Sequence, residues 1–259
     1  MKFEHATIRQ AIAAALAFTT LAAPTLVLAE APMAKSQAPG WYRMKLGSFE
    51  VTALSDGTVT LPVDKLLSNV KPTTVEQLLA RSYLKAPVET SVNGYLVNTG
   101  TKLVLIDVGA AGLFGPTLGK LMANLKASGY TPEQVDEIYI THMHPDHVGG
   151  LMDGSKLAFP NATVRAHIKE GEFWLSRINL DKAPAEGKGF FQGAMASLNP
   201  YVAAGKLKSF DGETELVPGI RAIPAAGHTP GHTVFHVADG ADQLFVTADT
   251  SSRPEVFLR

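Results

Sequence analysis

The sequence predicts an α/β fold built on two sheets, and three observations carry that reading. The first half of the chain mixes β-like runs with segments of helical spacing, while the second half, from Lys206 onward, is nearly all strand. Of the 259 residues, 46% are hydrophobic and 18% charged, enough apolar material for one large domain or two small ones.

Taken in order, residues 30–40 read as a linker dominated by Pro, Gln and Ser. Short β-like runs follow at Tyr42–Leu46, Phe49–Leu54, Gly94–Asn98 and Leu103–Ile106, separated by the turn residues Gly47, Asp56-Gly57 and Thr99-Gly100. That is an antiparallel opening. Thr74–Ser82 and Thr117–Ser128 carry helical spacing, the second with Leu118, Leu121, Met122 and Leu125 on one face and Gly129 as its stop. Ile138–Ile140 is a strand, Thr163–Ala166 another, and helices are expected near Lys169–Ile178 and Phe191–Ala204. Lys206–Phe210, Leu216–Pro224, Thr233–Val237 and Leu244–Thr247 then read as strands.

The N-terminus has the pattern of an export signal. Lys2 and Arg9 form a basic start, Ala11–Ala23 an Ala/Leu-rich stretch, and Val27-Leu28-Ala29 a small-residue cleavage site ahead of Glu30. Thr19, Thr20 and Pro24 interrupt the stretch, which makes it a poor membrane-spanning helix. The expected organisation is a signal over residues 1–29, the linker, and one domain over residues 41–259. A periplasmic or secreted location follows, without stable membrane association after cleavage. There is no cysteine, so neither a disulfide nor a lipid-modified N-terminal cysteine can form. A formal charge of −1 with no basic run gives no electrostatic footprint for nucleic acid.

The most informative segment is Thr141-His142-Met143-His144-Pro145-Asp146-His147, which sets three imidazoles and a carboxylate within six consecutive positions after an apolar strand. Imidazole with carboxylate suits Zn²⁺ and its borderline neighbours, whereas an all-oxygen shell suits Ca²⁺ or Mg²⁺. Gly227-His228-Thr229-Pro230-Gly231 adds a histidine in a turn between strands, and Asp249 closes the strand Leu244–Thr247. Strand ends at one edge of a packed sheet can hold such side chains rigidly. No motif position claims His167, His232 or His236, which read as structural or supporting residues.

With its His-x-His-x-Asp-His motif at residues 142–147, its Gly-His-Thr-Pro-Gly turn and its later Asp, the chain resembles the metallo-β-lactamase superfamily. That resemblance implies an αββα sandwich holding two divalent metal ions, zinc first among the candidates. His142, His144 and His228 would bind one metal, Asp146 and His147 the second, with Asp249 bridging them. Asp107 would support the histidine loop from behind. Ala248 stands where the superfamily usually has Gly. Within the superfamily, residues 40–249 most resemble the exported methyl parathion hydrolases, through the histidine motif, Gly115-Pro116-Thr117-Leu118-Gly119, Phe173-Trp174-Leu175 and Gly189-Phe190-Phe191. A substrate pocket of Phe114, Trp174 and Phe190 or Phe191 is implied.

The implied activity is attack on an apolar ester by a metal-bridging hydroxide, with Asp146 and Asp249 as the catalytic carboxylates. A small-molecule phosphotriester is the leading substrate, and a lactone the alternative; a homodimer is compatible with either. The superfamily's last histidine has no counterpart after Asp249, and no helix remains to cover the second sheet. The sequence therefore also admits a C-terminally incomplete, inactive metal-binding fragment.

Overall fold

The structure, a computed structural model, describes residues 31–67 and 70–249. The expected export signal lies outside the described residues, as does everything after Asp249. Two units divide the chain between Ala38 and Pro39. In the first, residues 31–38 carry neither helix nor strand. Among the described residues no helix is long and apolar enough to cross a membrane.

The second unit begins with β1 (Trp41–Leu46), β2 (Phe49–Leu61), the helices α1 (Val63–Leu66) and α2 (Pro72–Arg81), then β3 (Val88–Asn98) and β4 (Leu103–Ile106). After α3 (Leu121–Ala127) come β5 (Glu137–Tyr139), α4 (Pro145–Val148), the short hairpin β6 (Met152–Asp153) and β7 (Lys156–Leu157), and β8 (Thr163–His167). Helices α5 (Ile168–Trp174), α6 (Arg177–Lys182) and α7 (Lys188–Ala203) lead to β9 (Leu207–Phe210). The remaining strands are β10 (Thr214–Val217), β11 (Ile220–Pro224), β12 (Thr233–Asp239) and β13 (Asp242–Val246).

These strands form a seven-stranded sheet in the order β1-β2-β3-β4-β5-β8-β9 and a four-stranded sheet β10-β11-β12-β13. The large sheet is antiparallel from β1 to β4 and parallel from β4 through β9. Its middle is buried on both faces, so β4 reads as an unbroken apolar run rather than an alternating one. The two faces still differ. Leu103, Leu105 and Ile138 pack into a core shared with α3, α5, α6 and α7, whereas Val104, Ile106 and Tyr139 meet Ile220, Phe235 and Val237 of the small sheet. Period-two alternation thus serves two cores and yields a helix–sheet–sheet layering. The outer helical layer implied for the small sheet is not among the described residues.

The structure corrects four sequence expectations. Asp56-Gly57 is not a turn; β2 runs on to Leu61 through a bulge between Ser55 and Gly57. The Asp56 carboxylate is buried and accepts hydrogen bonds from the Ala110 and Leu121 amides, a tertiary use of a residue whose local preference is a turn. The helix expected from Thr117 starts only at Leu121, because Gly119 is left-handed and Lys120 N–H is committed to the Asp56 carbonyl. The helix expected over Lys169–Ile178 is two helices, since the Ser176 hydroxyl caps a new start by accepting from Asn179 N–H. Finally, Leu216–Pro224 is split between β10 and β11 by a turn at Pro218-Gly219.

Candidate metal centre

The site lies where the strands of both sheets end. After β4 the chain delivers Asp107; after β5, the histidine loop and α4; before β12, the turn carrying His228; and after β13, Asp249. The histidine loop is tied to both sheets, with Ile140 N–H bonded to the Arg165 carbonyl and Thr233 N–H to the Thr141 carbonyl. Helix α4 has Pro145 at its first position, where the missing N–H costs nothing. Behind it, Gly149 and Gly150 press on the Ala110 and Val108 carbonyls so closely that a Cβ on either would drive into the backbone.

Asp107 organises the imidazoles. Its Oδ1 accepts from Thr141 N–H at 2.9 Å, and its Oδ2 accepts the Thr141 hydroxyl at 2.7 Å and lies 2.8 Å from His147 Nδ1. A carboxylate can only accept, so His147 carries a proton on Nδ1 and, as a neutral imidazole, has its lone pair on Nε2. The Thr141 hydroxyl has spent its one hydrogen on Asp107, so at 3.2 Å from His142 Nδ1 it must accept. His142 Nε2 is then also a lone pair, buried and without a hydrogen-bond partner.

What these lone pairs face decides the chemistry. His142 Nε2 is 3.8 Å from Asp249 Oδ2, His147 Nε2 is 3.7 Å from the same oxygen and 3.4 Å from Asp146 Oδ2, and His228 Nε2 is 3.4 Å from Asp249 Oδ2. His228 Nε2 and His144 Nδ1 are 3.1 Å apart. Acceptors turned toward acceptors repel unless protons or cations lie between them. Among the described residues, two groups have donor atoms close enough to share an ion: His142, His144 and His228, and His142, His147 and Asp249. Their nitrogen-and-carboxylate composition fits zinc, so the residues present fit the implied metal.

Protonation equilibria divide the histidines. Burial, and then neighbouring imidazoles, press His142 far below its ordinary pKa; burial and His228 press His144 down to about 3; burial lowers His228 as well. His147 alone runs upward, because Asp107, Asp146 and Asp249 outweigh its burial. Burial would raise Asp249, but the His147 hydrogen bond and charge prevail and hold it at about 2. His142, His144 and His228 are thus neutral beside an ionised Asp249, the states a metal needs, whereas His147 must give up a proton to bind one.

Of the aromatic residues expected to line a pocket, two stand at the imidazoles. The ring centroid of Phe190 is 4.9 Å from that of His144, and Trp174 is 5.0 Å from it. Phe191 is buried against Trp174 and Phe173 on the inner side of α7. Phe114 packs instead in a satellite cluster with Val59, Val92, Ala110 and Leu118. His232, read from sequence as structural or supporting, is fully buried with both ring nitrogens unpartnered, 5.0 Å from the His142 ring. A separate cleft of about 700 Å³, between α3 and the β6–β7 hairpin, includes none of the candidate ligands in its lining.

A family model described as the metallo-beta-lactamase superfamily matches residues 87–258. The chain belongs to the metallo-β-lactamase superfamily. Within it, the N-acyl homoserine lactonase AiiA of Bacillus thuringiensis subsp. kurstaki is 28% identical over 183 residues, 63% of this chain and 65% of that relative. The chain thus spans about two thirds of the length of the curated lactonases it matches. Among solved metallo-β-lactamase structures, hydrolase AbOPH in beta lactamase superfamily is 37% identical with a TM-score of 0.75, over 83% of this chain and 75% of that one. AidC, a dizinc quorum-quenching lactonase in complex with a product N-hexnoyl-L-homoserine, is 28% identical with a TM-score of 0.70, over 80% of this chain and 73% of that one.

Proposed function

We propose that this chain is a metal-dependent hydrolase of neutral, apolar esters, with an acyl lactone as its preferred substrate. The observation that carries the proposal is the convergence of the His142, His144, His147 and His228 ring nitrogens with the Asp249 carboxylate at the edge of the two sheets. Two divalent ions held there would supply Lewis acidity and an activated water at neutral pH, so no Ser or Cys nucleophile is needed. In this reading His142, His144 and His228 hold one ion, and Asp146, His147 and Asp249 the other.

The protein's own residues do the rest. Asp107 fixes His147 by taking its Nδ1 proton in a hydrogen bond, and through Thr141 fixes His142. With the ions bound, Asp146 and Asp249 would orient a water by accepting its hydrogens, Asp249 from the more exposed position. Phe190 and Trp174 form an apolar wall beside His144, which excludes bulk water and suits an acyl chain. That lactonases, one of them dizinc, are among the similar proteins supports the lactone over the phosphotriester. The aromatic wall keeps an aryl phosphotriester as the second reading. With the proposal goes export, with residues 1–29 removed, which the mass of the secreted protein tests.

The deciding experiment loads the chain with zinc and assays an N-acyl homoserine lactone and a chromogenic aryl phosphotriester side by side. The expected result is a higher kcat/KM for the lactone. Stoichiometric zinc with no turnover of either ester would overturn the hydrolase reading, and a preference for the phosphotriester would restore the second one.

A further inference from the structure

Glu170 is fully buried on α5, and no cation among the described residues is ion-paired with it. Burying a carboxylate is costly unless donors replace its water, and here they come from the two turns that carry the candidate ligands. Oε2 accepts from Met143 N–H at 2.9 Å, and Met143 lies between His142 and His144. Oε1 accepts from Gly231 N–H at 2.7 Å, three residues beyond His228. The approach is close enough that a Cβ on Gly231 would meet Glu170 N at 2.8 Å and its Cγ at 3.0 Å.

We infer that Glu170 is a positioning residue for the first metal, a carboxylate staple that sets the spacing between the His142–His144 segment and the His228 turn. The two turns belong to different sheets, and hydrogen bonds to an ionised acceptor are among the stronger and shorter ones. Three ligands on two separate loops otherwise depend on how the sheets pack, where small displacements are enough to loosen a metal site. The staple acts through the backbone of both loops and does not itself touch the metal. It rests on the proposed metal-binding reading.

The test uses the full chain and Glu170→Gln, which is nearly isosteric but turns an amide NH₂ toward one of the two backbone donors and so releases one loop. Zinc affinity is measured by competition with a chromophoric chelator, alongside kcat and KM on a lactone and the thermal midpoint of the metal-free proteins. The expected result is a 10- to 100-fold loss of zinc affinity and a fall in kcat with little change in KM, the metal-free midpoint staying close to the parent's. Unchanged zinc affinity would overturn the inference, as would a loss no larger than the fall in midpoint accounts for. If the Gln variant lacks a folded baseline, Glu170→Asp, which keeps the charge and shortens the reach, is read by the same criteria. Should the parent itself bind no zinc, it is the metal reading that fails, an outcome distinct from a parent that binds and a variant that binds equally.

Discussion

The Asp107 carboxylate lies 2.8 Å from His147 Nδ1 while also taking the amide and the hydroxyl of Thr141. One acid, held in a left-handed backbone conformation at the end of β4, therefore fixes the tautomers of two imidazoles. Asp107→Asn keeps the shape and tolerates that backbone. It replaces an acceptor-only group with one that turns an NH₂ toward His147 or Thr141. Metal affinity at the site containing His147 is expected to fall about 10- to 100-fold, with near-native circular dichroism. Zinc retained per chain after dialysis against a weak chelator checks this.

His144→Ala removes a donor from the candidate group formed by His142, His144 and His228. Elemental analysis should find the variant short of metal relative to the parent. Equal metal content would show that His144 is not a ligand.

Phe190 and Phe191 are adjacent in sequence and differently placed. Phe190→Ala strips the ring beside His144 and is expected to raise KM several-fold with metal content unchanged. Phe191→Ala opens a cavity against Trp174 and Phe173 and should cost about 3–5 kcal/mol in urea unfolding. Similar stability losses in both variants would refute the distinction.

Gly150→Ala should be among the most damaging single-methyl changes, because the Val108 carbonyl occupies the place of the new Cβ. Overpacking of this kind costs roughly 1–3 kcal/mol, and more where only backbone can yield. A lower denaturant midpoint together with reduced zinc content is expected, since the strain falls directly behind α4.

Chelation should destabilise the protein in proportion to how tightly it holds metal. With free zinc at about 100 times the dissociation constant, binding adds roughly 2.7 kcal/mol, so the thermal midpoint should rise with zinc concentration. A midpoint independent of zinc would argue against binding to the native state.

The histidine motif, the Gly-His-Thr-Pro-Gly turn and Asp249 were legible because each sits in a short run where local sequence and chemistry coincide, whereas the support from Asp107 was expected only from the family resemblance. So were most strands and helices, whose periodicity survives in isolation. The apolar run at β4 was legible as a strand, but only the layering revealed that alternate residues serve two different cores. Phe190 and Phe191 could not be separated by sequence, since one residue's rotation on α7 decides which ring meets His144.

The parts played by Asp56 and Glu170 were invisible in the sequence for a deeper reason. Asp56 sits in an Asp-Gly pair whose local preference is a turn, and Glu170 in an ordinary helical stretch. What gives each its role is the partners it meets in the fold: Ala110 and Leu121 for Asp56, Met143 and Gly231 for Glu170. The sequence by itself determined which atoms could bind a metal, because ligand chemistry is a property of side chains. Only the tertiary structure decided which buried carboxylates hold those ligands in place, because a carboxylate's cost and use depend on donors that arrive from 27 and 61 residues away.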